Sequence, residues 1–166
     1  MNLSDKLDLT GKLIIQKINI QHKTIDECEI KNSITLNGRE LVAKLFSSET
    51  NQQVKPVNYV AVGKGSKEFV ATDNQLADEV YRQPIQEIHL QRIDPDTQEP
   101  RVKLILTVDL EADNEKVNDV PLTEAGLFSA ESDVSGESDV MYNRVQFPPV
   151  NKTKDFKLTL IWEIIF

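Results

Sequence analysis

The last eleven residues of the chain alternate without a break. Phe156, Leu158, Leu160, Trp162, Ile164 and Phe166 fall on one parity, and Lys157, Thr159, Ile161, Glu163 and Ile165 on the other. A strand turns successive side chains to opposite faces, so a period of two over this length commits one whole face to a core. Arg101 to Glu111 follows the same rule: Val102, Leu104, Leu106, Val108 and Leu110 face in, while Arg101, Lys103, Thr107 and Asp109 face out. Two long half-buried strands of this kind point to a sheet packed on a sheet.

Weaker strand patterns fill the rest. In Leu13 to Ile20 the shared face is Ile14, Ile18 and Ile20, broken by Gln16, and Asp26 to Ile30 returns as its hairpin partner across Gln21 to Thr24. Val57 to Val62 is a short β-branched run ended by Gly63; Ile85 to Ile93 carries Ile88 and Leu90 on one parity; Met141 to Phe147 carries Met141, Val145 and Phe147. Asp94-Pro95-Asp96 reads as the tip of a hairpin. Two segments read as helix. Asn37 to Glu40 supplies a cap with an acid behind it, followed by a stripe of Leu41, Val42, Leu45 and Phe46 that ends near Ser47-Ser48. Asp73 to Arg82 has Asp73 as cap, Leu76 and Val80 as an i, i+4 pair, Glu79 and Arg82 as a surface pair, and Pro84 as stop. The fold class expected is all-β: an antiparallel sandwich of about seven or eight strands with one or two short helices, spanning residues 11–166 behind a possible N-terminal arm over residues 1–10.

Composition narrows the function. A chain of 166 residues can bury roughly 70% of its unfolded surface, enough for a core without staples. One cysteine, Cys28, leaves no internal disulfide framework. The start, Met1 to Lys6, has no charged region leading into an apolar one, and Glu163 interrupts the greasiest stretch. Neither a secretory signal nor membrane insertion is therefore expected. Nineteen Lys and Arg against 27 Asp and Glu leave a formal charge of -8, which opposes binding to nucleic acid or anionic lipid.

No residue set marks a reaction. His22 falls in a polar turn and His89 in a strand, with no nucleophile elbow near either. Cys28 lies among Asp26, Glu27 and Glu29, whose charges disfavour a thiolate. Gly63-Lys64-Gly65-Ser66-Lys67 lacks the spacing of a phosphate-cradling loop and reads as a strand-ending turn whose glycines supply positive φ. The Asp94 to Glu99 run lacks the glycine of a calcium loop. Asp133, Ser135, Glu137 and Asp139 alternate acceptors as any solvated acidic loop does, and Glu131 to Asp139 has no apolar anchor except Val134. Trp162 sits on a core face and not on a sugar-binding platform, in a chain with 6% aromatic residues. No catalytic, cofactor-binding or metal-binding residue is assigned, no cofactor is expected, and the protein is expected to work through its surfaces without enzymatic activity.

The order of short motifs carries more. Asn32 to Arg39 leads into the first helix; then come Tyr59-Val60-Ala61-Val62-Gly63-Lys64-Gly65 and Asp73 to Arg82. Later come Leu122-Thr123-Glu124-Ala125-Gly126-Leu127-Phe128, with Gly126 placed for a bulge or a close backbone approach, then Arg144 to Pro149 and the closing Leu158 to Phe166. This series, from about residue 30 to 166, resembles small structural proteins of tailed phages and phage-tail-like particles, and in particular the particle-attaching domains of tail and collar fibres. Fibre proteins continue beyond that domain into a shaft and a receptor-binding tip, whereas this chain ends on its last strand, so receptor recognition is not carried over.

The resemblance implies a docking or assembly module in a tail, collar, baseplate or contractile injection particle. Its partners would be other particle proteins and further copies of itself, and its place the virion or particle, assembled in the bacterial cytoplasm. The alternatives are a stand-alone ligand- or carbohydrate-binding sandwich and a small hydrolase with unmarked acids.

Overall fold

The computed structural model describes residues 9–47, 54–93 and 100–166. The described elements are β1 (Thr10–Asn19), β2 (Thr24–Lys31), β3 (Ser33–Ile34), α1 (Leu36–Leu45), β4 (Tyr59–Gly63), β5 (Glu79–Pro84), β6 (Glu87–Ile93), β7 (Arg101–Leu110), β8 (Pro121–Ser129), β9 (Val140–Asn151) and β10 (Phe156–Ile165). They build two five-stranded antiparallel sheets, β2-β1-β10-β7-β6 and β3-β9-β8-β4-β5. The protein is an all-β sandwich. The arm expected over residues 1–10 falls mostly on residues outside the described ones, and Thr10 is the first residue of β1. The hairpin tip at Asp94 to Asp96 also lies outside them, although β6 and β7 pair as that hairpin requires.

The two long alternating strands lie side by side at the heart of the first sheet. Leu158, Leu160, Trp162 and Ile164 of β10 and Leu106, Val108 and Leu110 of β7 are buried, and meet Val60, Val62, Leu122, Ala125, Leu127, Tyr142, Val145 and Phe147 of the second sheet. Trp162 has no exposed surface and pairs in register with Leu13 on one side and Leu106 on the other.

Pairing also corrects β1. Its buried residues are Leu13 and Ile15, opposite Trp162 and Leu160, so Ile14 and Ile18 turn outward and Ile20 is exposed. Counting isoleucines chose the wrong face because register with a core-facing neighbour decides orientation, and a one-residue change of parity moves every side chain. The outward face of this sheet is a ladder of charge: Glu29, Lys12, Glu163 and Lys103 link β2, β1, β10 and β7 through successive ion pairs.

The second sheet is covered on both sides. Beyond the shared core, Ala61, Phe128, Ala130 and Met141 pack on its far face under Leu76 of the β4–β5 loop. α1 rests on β9, but its cap is Thr35 and not Asn37: the Thr35 hydroxyl accepts from the Gly38 amide at 2.9 Å and itself donates to the Met141 carbonyl at 2.5 Å. A β-carbon on Gly38 would stand 2.1 Å from the Tyr142 carbonyl oxygen, so glycine is what lets the helix lie against the strand. Of the helical stripe, Leu41 is buried while Leu45 and Phe46 are exposed. β8 shows no period of two because both its faces are covered and two bulges shift its register with β9.

Trp162→Ala removes the largest fully buried side chain and is expected to cost about 3–5 kcal/mol. The check is a chemical denaturation midpoint; an unchanged midpoint contradicts the core assignment.

Candidate functional site

The β4–β5 connection, residues 64–78, folds over the outer face of the second sheet, and one carboxylate organises it. Glu124 of β8 is fully buried. Its Oε1 accepts from the amides of Gly65 at 3.0 Å and Asp78 at 2.8 Å, and Oε2 from the Ala77 amide at 3.1 Å. Arg144 of β9 completes the shell, with Nε and Nη2 each 2.8 Å from Oε2. The same guanidinium reaches Asp73 Oδ2 at 2.9 Å and the Lys67 carbonyl at 2.7 Å. Gln146 adds two bonds to the loop, donating to the Lys67 carbonyl at 2.6 Å and accepting from the Phe69 amide at 3.1 Å. Such a buried pair holds together because nearly every lone pair and proton has a partner.

This arrangement overturns two readings of the sequence. The segment from Asp73 to Asp78 is not helical. The Ala77 and Asp78 amides that a helix would direct to its own carbonyls are bonded to Glu124, and the Asp73 carboxylate turns back to the Val70 amide at 2.9 Å. The glycines of Gly63-Lys64-Gly65 do not supply positive φ, a conformation no described glycine adopts. They supply proximity: a β-carbon on Gly63 would lie 2.4 Å from the Asp78 carbonyl oxygen, and one on Gly65 only 2.3 Å from Glu124 Oε1. The glycine-rich loop does cradle an anion, but that anion is the protein's own carboxylate, so Gly65 has no amide left for a phosphate. Gly126 likewise permits close approach, its absent β-carbon falling 2.8 Å from the Asn143 carbonyl oxygen.

Glu79 and Arg82 do pair, but on a strand. Val80 is an extra residue in β5, since Gly63 opposes Glu79 while Val62 opposes Tyr81, and this bulge brings positions i and i+3 to one face. Arg82 donates from Nε and Nη2 to the two Glu79 oxygens at 2.8 Å each, and from Nη1 to Asp139 at 2.5 Å. Its guanidinium stacks 4.2 Å from the Phe128 ring centre. Burial works against that charge, but Glu79 and then Asp139 more than offset it and raise the pKa. The acidic 131–139 loop is thus anchored at its end by an ion pair, while Val134, its only apolar side chain, is exposed.

The remaining candidates stay apart. His22 lies exposed in the β1–β2 turn at φ 58°, and His89 on the outer strand β6. Burial, reinforced by Asp26, raises the pKa of the half-buried Cys28 thiol, the opposite of a reactive cysteine. Asp133, Ser135 and Glu137 are exposed, and no group of three metal-ligating side chains occurs among the described residues. The Asp94 to Glu99 run lies outside them. No helix among the described residues is long and apolar enough to cross a membrane.

Sequence reasoning missed a buried lysine. Lys152 Nζ donates to Asn118 Oδ1 at 2.6 Å and to the Ala112 carbonyl at 3.2 Å, pinning the loop before β8. Burial lowers its pKa against the pull of Asp113 and Glu111. A half-open groove of about 610 Å³ runs between α1 (Asn37, Glu40, Lys44) and Lys55, Glu131 and Ser138.

With family models, curated proteins and solved structures, the chain gives no match.

Glu124→Gln leaves an amide group facing donors and strips Arg144 of one carboxylate, so a loss of about 3–5 kcal/mol is expected in denaturant unfolding. Cleavage within residues 64–78 under limited proteolysis should rise with it. The Asp73 carboxyl is pushed up by burial but held below its ordinary value by the Val70 amide, Lys67 and Arg144. A depressed pKa contributes stability above about pH 4, which is lost as pH falls through the folded value. Asp73→Asn is therefore expected to flatten the acid limb of a stability–pH profile.

Proposed function

We propose that this protein is a non-enzymatic structural module of a tailed phage or contractile injection particle, acting in a tail, collar or baseplate as a docking and assembly unit present in several copies. The observation that carries the reading is the spatial convergence of the motifs behind the resemblance. Gly63 and Gly65, Asp73, Glu79 and Arg82, Glu124 and Gly126, and Arg144 and Gln146 lie far apart in sequence, yet they occupy β4, β5, β8, β9 and the loop between β4 and β5. They form a device of two neighbouring clusters, Glu124–Arg144–Asp73 and Glu79–Arg82–Asp139, that fixes loops upon a sheet. The charged groups in it are matched internally, which suits a rigid part more than a reactive one. Mass spectrometry of particles sedimented from an induced bacterial culture carrying the gene should find the protein in fixed ratio to tube or sheath proteins. Its absence from every purified particle would overturn the reading.

The groove beside α1 favours a second reading, a ligand- or carbohydrate-binding sandwich. Its volume suits a small ligand, but the described residues lining it include no aromatic ring on which a sugar would stack. A glycan array without signal is the outcome expected; micromolar binding abolished by Lys44→Ala would favour this second reading.

A further inference from the structure

The four sheet edges are not alike. β3 has two residues and runs at once into α1; β5 is bulged at Val80 and ends in Pro84; β2 carries Asp26, Glu27 and Glu29 against Lys31. Shortness, proline, bulges and charge are the devices that keep edges from pairing. β6 has no proline, no bulge and no excess of one charge. It runs unbroken from Glu87 to Ile93, with one acid and one arginine that cancel. Ile88 and Leu90 lie on the parity of the core, opposite Leu106 and Leu104, yet they are 64% and 68% exposed.

Its open hydrogen-bonding groups can be assigned. Val102 and Phe166 exchange both backbone bonds, so on β7 the even-numbered residues bond to β10 and the odd-numbered ones to β6. In register, Ile105 faces His89 and Lys103 faces Gln91. The odd-numbered groups of β6 are therefore taken up by β7, and the N–H and C=O of Ile88, Leu90 and Arg92 point to the open side, where no described strand lies.

We infer that the β6 edge is a self-association surface, on which β6 of a second copy adds antiparallel and continues the sheet from one copy into the next. The self-complementary Ile88–Leu90 pair favours that occupant, and the charges favour that direction. A chain of net charge -8 repels its copies, and β6 is the long edge along which two copies meet without opposing like charges. Antiparallel pairing about His89 sets Glu87 of each copy opposite the neutral Gln91 of the other and Arg92 opposite the neutral Gln86, whereas parallel in-register pairing would set Glu87 on Glu87 and Arg92 on Arg92. Pairing about His89 sets Ile88 of each copy opposite Leu90 of the other, joining the exposed apolar side chains on one face. A single-strand contact buries less than the roughly 1,000 Å² of a stable interface, so the pairing is weak in free solution and strengthens with salt.

This inference rests on the multi-copy reading above only for its biological setting. Sedimentation of the full chain from micromolar to near-millimolar concentration should show a monomer–dimer shift. Site-resolved hydrogen exchange should show the amides of Ile88, Leu90 and Arg92 slowing with concentration while those of His89 and Gln91 stay constant. Leu90→Lys, and independently Leu90→Pro, which removes an outward donor, should weaken association at least tenfold; the lysine variant should leave the melting temperature unchanged. A strict monomer at every concentration, a dimer without those amide changes, or a dimer indifferent to both variants overturns the inference. A dimer formed through another surface would do so while leaving the particle reading intact; pairing through β6 by a protein absent from every particle would do the reverse.

Discussion

The contact between Glu124 and Arg144 is the constraint around which the second sheet is arranged. A carboxylate with no exposed surface is costly to bury unless its lone pairs are filled. Here they are filled by three loop amides and a guanidinium. Satisfying Glu124 therefore dictates where residues 65, 77 and 78 go, and the loop's path follows. That path brings Leu76 down on Ala61, Phe128 and Met141, which turns the outer face of the sheet into a second small core. Polar specification and apolar burial point to one loop conformation, the mutual support expected of a uniquely folded chain.

The two sheets solve their outer faces differently. The first leaves its outer face to water and covers it with cross-strand ion pairs, each worth little when exposed but together keeping apolar rows such as Ile14 and Ile161 from forming a continuous patch. The second buries its outer face under a loop and a helix, and so must carry its charges inside as matched clusters. The bland exterior belongs to one sheet and the specified interior to the other.

That division explains what the sequence disclosed. β7 and β10 were legible because each has one wet face and one dry face, which writes a period of two into the chain. β8 was not, because both its faces are covered and the pattern disappears. The Asp73 to Arg82 segment misled for a sharper reason. Leu76 and Val80 do stand at helical spacing, but Glu124, some fifty positions away, takes the amides a helix needs, and no local pattern reports a distant acceptor. Cap placement failed similarly: Asn37 is a good cap by type, but Thr35 has the Met141 and Tyr142 carbonyls beside it. The candidate site was legible as a set of motifs and illegible as a geometry. Val-Gly-Lys-Gly and the pair Glu79 and Arg82 stood out by themselves, Glu124 and Arg144 only as members of short motifs, and their mutual contact required the topology.

The motifs also have a limit that follows from where they sit. Gly63, Gly65, Arg82, Glu124 and Arg144 are buried, and their polar groups are answered from within the chain. A buried, internally satisfied group can fix a scaffold but cannot touch a partner. A resemblance resting on such residues bears on the kind of part this is, and partner choice has to be written elsewhere, in side chains the fold leaves unanswered. Among the described residues, singly exposed apolar side chains such as Ile20, Ile25 and Val134 are scattered, and two pairs stand together: Leu45 and Phe46 at the end of α1, and Ile88 and Leu90 on β6. The first pair is a patch at a helix end, without the ladder of N–H and C=O groups that a strand edge presents. The second lies along a strand whose free N–H and C=O groups impose register, polarity and spacing on whatever binds, so specificity there comes from the main chain as much as from the side chains. On the self-association proposed above, one sheet supplies a self-satisfied scaffold and the other supplies the unblunted edge along which copies would join.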